Sequence, residues 1–142
     1  MTKSLLATAI AGITALLTGC PGAGARNCSA SPVTFPDGKC NAYYYQAVHW
    51  SGDSTTQALV NCTFDKQSVG GNVVAFHTAN YGIGLRWLSA DTLEVAIPDG
   101  VELDNQRHSS LYLGHRLKYA YRTLKNTEPE FNGCFAGHRG GT

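Results

Sequence analysis

Charge is scarce in this chain. Asp, Glu, Lys and Arg make up 15% of its 142 residues, and 11 basic against 10 acidic residues leave a formal net charge of +1. That balance gives no electrostatic case for nucleic acid or for an anionic membrane surface, both of which draw on clustered positive charge. Cys-x-x-Cys pairs are absent, which argues against zinc and thioredoxin-like redox chemistry. His49, His77, His108, His115 and His138 stand singly, none at a ligand spacing from another, so neither a metal nor another cofactor is expected. No Gly-x-Ser-x-Gly turn is present to expose a serine nucleophile. The uncharged apolar run 5–17 is thirteen residues long, short of the roughly 20 that a membrane-spanning helix needs. Beyond residue 20 no segment repeats its apolar residues at a helical period.

What the chain does have begins at its N-terminus. Lys3 gives a short, positively charged leader to the apolar run, which ends in Leu17-Thr18-Gly19-Cys20-Pro21-Gly22. The run has no polar face, and Gly-Cys-Pro-Gly would stop a helix, so a signal peptide is favoured over a buried helix. Leu17-Thr18-Gly19-Cys20 resembles the lipobox of bacterial lipoproteins, where a Leu and two small residues precede the Cys that becomes the lipidated first residue. The resemblance implies that residues 1–19 are removed and that Cys20 carries a diacylglyceryl group on sulfur, usually with a third chain on its amine. Two or more acyl chains hold a protein stably on a lipid bilayer, whereas one does not. An Asp after the Cys favours inner-membrane retention in such proteins. Pro21 stands there instead, so the expected address is the cell envelope, with the outer membrane favoured.

Setting Cys20 aside leaves Cys28, Cys40, Cys62 and Cys134, an even number in an exported chain and therefore a disulfide framework. Four cysteines allow three pairings. The strand pattern favours Cys40–Cys62, because a hairpin about Trp50-Ser51-Gly52-Asp53-Ser54 sets residues 40 and 62 nearly opposite. Cys28–Cys134 then joins the two ends.

Residues 20–32, rich in Gly, Ala and Ser, read as the lipidated Cys and a flexible tether. Phe35-Pro36-Asp37-Gly38-Lys39 is a turn: Pro presets φ, Asp bonds the backbone ahead, and Gly accepts a positive φ. Strands are expected over 40–49, 56–64 and 72–77, with a polar loop over 65–71. The clearest signal is the hairpin 84–97, where Leu93, Val95 and Ile97 alternate with Thr92, Glu94 and Ala96. Leu85 and Trp87 are expected on the buried face. Arg86 and Glu94 fall on the wet face as an exposed pair worth at most about 1 kcal/mol. A loop over 101–114 precedes a last alternating strand, 117–123. The expected fold is all-β: a single small antiparallel domain of about six strands over 33–125, as a sandwich or curled sheet, with a tail over 126–142 tied by Cys134.

The Phe35–Lys39 turn, the Gly71-Asn72-Val73 strand and Arg86-Trp87-Leu88-Ser89-Ala90-Asp91-Thr92-Leu93-Glu94-Val95, in that order, resemble small uncharacterised lipoproteins of Proteobacteria. That resemblance implies the anchor and the β fold, and no activity comes with it.

Catalytic constellations are thin. His108 with Ser109 or Ser110, and His115, offer a serine–histidine site in the 101–116 loop, but adjacent residues seldom point usefully at one another. Asp91, Asp99, Glu102 and Asp104 sit in turns, where Asp normally bonds backbone. Tyr43, Tyr44 and Tyr45 run consecutively along one strand, so both of its faces carry a ring, and outward aromatics suit a glycan or an envelope or extracellular protein partner. The expected function is a non-enzymatic, envelope-anchored binding or interaction module of unknown ligand. The alternative is a small envelope hydrolase using the 101–116 loop.

Overall fold

Period-two alternation organises the described residues into ten strands. The computed structural model describes residues 26–135; Cys20, the signal peptide and residues 136–142 with His138 lie outside the described residues. In chain order the strands are β1 (Arg26–Ser29), β2 (Val33–Thr34), β3 (Cys40–Val48), β4 (Ser54–Phe64), β5 (Gln67–Phe76), β6 (Gly84–Ser89), β7 (Thr92–Ile97), β8 (Leu103–Gln106), β9 (Ser109–Tyr112) and β10 (His115–Thr123). One 3-10 turn, Pro129–Asn132, follows.

Six strands make one sheet in the order β1-β3-β4-β5-β8, with β2 also paired to β3, and four make the other in the order β6-β7-β10-β9. The core lies between them. Ala42, Tyr44, Val60, Val74 and Phe76 face it from the large sheet, and Leu93, Val95, Leu117 and Tyr119 from the small one.

The all-β class is therefore what the pattern indicated, as a two-sheet sandwich, but with more strands than the expected six. Three differences have physical causes. Residues 65–71 are not a loop. Asp65 and Lys66 both take positive φ (47° and 65°) in a two-residue hairpin turn, and β5 starts at once. Such turns match strand twist and usually advertise themselves as Asn-Gly; Asp-Lys does not. Gly70 lies within β5 because a Cβ there would run into the Val60 carbonyl. Second, the 101–114 stretch contains β8 and β9, both too short and polar to show as strands. Third, β10 pairs with β7 in parallel, Tyr119 beside Leu93 and Tyr121 beside Val95, a non-local contact that alternation cannot reveal. The stretch expected to be a tether over 20–32 also has structure at its end: β1 pairs with β3, Ser29 opposite Tyr45.

The hairpin 84–97 has the expected register. Leu85 faces Val95, Arg86 faces Glu94, and Trp87 faces Leu93. Cys40 lies opposite Cys62 in the β3–β4 ladder, and they form a disulfide with Cα atoms 4.1 Å apart. Cys28 and Cys134 form the second, with Cα atoms 6.0 Å apart.

Candidate functional site

Strand β3 sorts the three tyrosines. Cys40, Ala42, Tyr44 and Gln46 point into the core, and Asn41, Tyr43 and Tyr45 point out. Tyr44 is 5% exposed. Burial, and then the nearby Glu130 carboxylate, push its pKa up, so its hydroxyl is neutral and protonated. Tyr43 and Tyr45 are half-buried on the outer face of the large sheet. Two residues apart on one strand, their rings rise from points about 7 Å apart.

Their surroundings are uncommon for a protein surface. Tyr43 pairs across the ladder with Leu59, and Tyr45 with Gln57; Leu59 pairs in turn with Asn72. Asn41 and Asn61 are opposite one another at one end of the same face. On the three central strands the outward positions carry Asn, Gln, Thr, Ser, Tyr, Leu, Ala and Gly, and no Asp, Glu, Lys, Arg or His. The face is thus aromatic at its centre, rimmed with primary amides that both donate and accept, and without fixed charge.

The 101–116 stretch is arranged otherwise than a serine–histidine site requires. Ser110 is 7% exposed, and its Oγ accepts a hydrogen bond from the Tyr119 hydroxyl at 2.9 Å. Burial raises the Tyr119 pKa, which keeps that proton on the phenol. His108 lies edge-on to Tyr121, with centroids 5.4 Å apart, and Tyr121 donates to the Arg107 carbonyl at 2.5 Å. Burial pushes the Tyr121 pKa up to about 12. His115 stacks on Phe64 at 4.0 Å. Ser109 is exposed at the start of β9. Asp91 uses its carboxylate to accept from Ser89 and Thr92 at 2.7 and 2.9 Å. His77 meets Asp104 at 2.7 Å, both exposed. Among the described residues no three His, Cys, Asp or Glu side chains gather.

Two polar clusters escape a reading by sequence. Gln46 is fully buried. Its Nε2 donates to the Tyr81 carbonyl at 2.7 Å and to Thr56 Oγ1 at 2.9 Å, and its Oε1 accepts from the Cys134 N–H at 2.7 Å. Gly133 lies over that amide with φ of 71°, and a Cβ there would come within 2.6 Å of Oε1. A polar residue in phase with Cys40, Ala42 and Tyr44 was the available signal. The second cluster enlarges the Arg86–Glu94 pair. Glu94 also accepts from Arg122 at 2.9 Å, and Arg122 holds Glu128 through two bonds of 2.6 and 2.8 Å. Arg122 arrives from β10, through the parallel pairing.

No protein-family model, curated protein or solved structure matches this chain.

Proposed function

We propose that the chain is an envelope-anchored lipoprotein, acylated at Cys20, whose β domain is a non-enzymatic binding module for a neutral glycan. The observation that carries the reading is the outer face of the three central strands of the large sheet, which bears no charged side chain and has Tyr43 and Tyr45 side by side with amides around them. Sugar rings present an apolar C–H face that stacks on aromatic rings, and hydroxyls that pair with amide donors and acceptors. A surface without fixed charge gives no advantage to an ionic partner. The lipobox Leu17-Thr18-Gly19-Cys20 supports the anchor, and two disulfides suit an oxidising compartment. A lipidated, tethered domain holds such a face at the membrane surface; the outer membrane is the proposed address.

A panel of neutral and acidic oligosaccharides tests the reading. Binding to neutral members is expected, with little dependence on salt, and a Tyr43→Ala/Tyr45→Ala protein that melts normally should lose it. A preference for acidic glycans, or binding undiminished in that variant, would overturn the proposal. For the anchor, a clickable fatty acid should label the chain and fail to label Cys20→Ser. Label persisting in the variant removes Cys20 as the acylation site.

A further inference from the structure

Where Tyr44 comes up from the core, a cleft of about 410 Å³ opens between the segment joining β1 to β2 and the 3-10 turn. Small-molecule sites span roughly 300–1,000 Å³. Ala30, Pro32, Val33, Ile83, Leu85 and Pro129 form its apolar walls, and the ionisable groups in the lining are Tyr44 and Glu130. Within the described residues no hydrogen bond reaches the Tyr44 hydroxyl. No Lys, Arg or His of the described residues pairs with Glu130. The two groups are close enough for the Glu130 charge to act on the phenol.

Charge complementarity decides what such a cleft would take. A carboxylate bordering apolar walls repels an anion and gains little from a neutral guest. A cation attached to an apolar stem satisfies all parts at once. We propose that this cleft binds an alkylammonium ion. Its stem lies against Val33 and Leu85. Its ammonium group donates one hydrogen bond to the Glu130 carboxylate and another to the Tyr44 hydroxyl oxygen. The short segment 30–33 and the 3-10 turn are both held against β3, by β1 and β2 on one side and by the Cys28–Cys134 disulfide on the other, so the walls are in place before a ligand arrives.

Titration of the purified protein with n-hexylammonium, followed by NMR, tests this directly, with n-hexanol as the uncharged comparison. The amide signals of Tyr44, Ile83 and Glu130 should shift together, and n-hexylammonium should bind at least about tenfold tighter than n-hexanol, because a charge-assisted bond replaces a neutral one. Glu130→Gln keeps the backbone of the turn and should bring the two ligands to similar affinity. Equal binding of n-hexylammonium and n-hexanol by the unaltered protein overturns the proposal, as does no binding of n-hexylammonium or shifts confined to other residues. A Glu130→Gln protein that keeps the ammonium preference overturns it too.

Discussion

The indole Nε1 of Trp87 donates to the carbonyl oxygen of Val33 at 3.0 Å. Trp87 lies on β6 of the small sheet and Val33 on β2 of the large one, so this bond joins the two sheets at the edge of the sandwich. The ring also meets Phe35 edge-on, with centroids 6.1 Å apart. Trp87 is half-buried, packed against the core, with its polar tip satisfied.

Two substitutions separate the ring from its hydrogen bond. Trp87→Phe keeps most of the apolar contact and should cost about 1 kcal/mol for the lost bond. Trp87→Ala should cost about 3 kcal/mol, the low end for removing a large aromatic, because the ring is half-buried. Urea unfolding of both proteins measures this. Equal stability of Trp87→Ala and the original would show that the ring contributes no packing.

The disulfides should differ in weight. Cys40–Cys62 closes a separation of 22 residues, and Cys28–Cys134 one of 106. Loop entropy gives about 3 kcal/mol for the first and about 5 kcal/mol for the second. Non-reducing peptide mapping should find these two pairs, and Cys28→Ser/Cys134→Ser should unfold at lower urea than Cys40→Ser/Cys62→Ser. The reverse order would mean that the unfolded chain is already compact between residues 28 and 134.

Alternation made the faces legible, and pairing was legible only where it is local. The turn read at 50–54 set Cys40 nearly opposite Cys62, and Ser89-Ala90-Asp91 set Arg86 opposite Glu94, because hairpin register follows from the turn. Arg122 reaches Glu94 only because β10 lies parallel to β7, and nothing within either strand announces that. The tyrosines show the same boundary. Period two guarantees that Tyr44 opposes Tyr43 and Tyr45; which side is the core follows from Cys40, buried in phase with Tyr44. The absence of charge on the outer face was present in the sequence all along, but it becomes a property of one surface only when β3, β4 and β5 are set side by side.

Acid should weaken the fold through the Arg122 cluster. The Arg122 guanidinium, above all, holds the Glu94 carboxyl below its ordinary value of 4.5. It holds Glu128 down to about 2, again as the first cause. A carboxyl whose pKa is lower folded than unfolded stabilises the fold above its unfolded value, and that contribution is lost as pH falls through the folded one. The loss should therefore run from about pH 4.5 down to about 2. Arg122→Gln removes the common partner, so thermal melts should fall less steeply over that window than those of the original protein. At pH 7 Glu94→Gln should cost about 1 kcal/mol, the scale of an ion pair near the surface. Parallel melting curves for the original and Arg122→Gln from pH 7 to 2 would show that the cluster carries no linkage.

Gln46 offers the sharpest test, because its two ends do different work. The Nε2 end donates to the Tyr81 carbonyl and Thr56, and the Oε1 end accepts from Cys134. Gln46→Leu removes both ends and strands a buried donor and a buried acceptor, at about 1–3 kcal/mol each. Gln46→Glu is nearly the same size and keeps an oxygen for Cys134, but as a carboxylate it has no proton for Tyr81. Protonated, it can donate once and take over part of the amide's role. Burial and the facing carbonyl dipole both favour that neutral form, so the introduced carboxyl should have a folded pKa above its unfolded value of about 4.3. An acid raised in this way destabilises the fold progressively as pH climbs past the unfolded value. The gap in melting temperature between Gln46→Glu and the original should accordingly be small at pH 4 and wide at pH 7, whereas the Gln46→Leu gap should be similar at both. A Gln46→Glu gap that does not widen with pH would mean that the amide does not donate to Tyr81, and that the nitrogen end of Gln46 holds the 77–82 loop to β3 by packing alone.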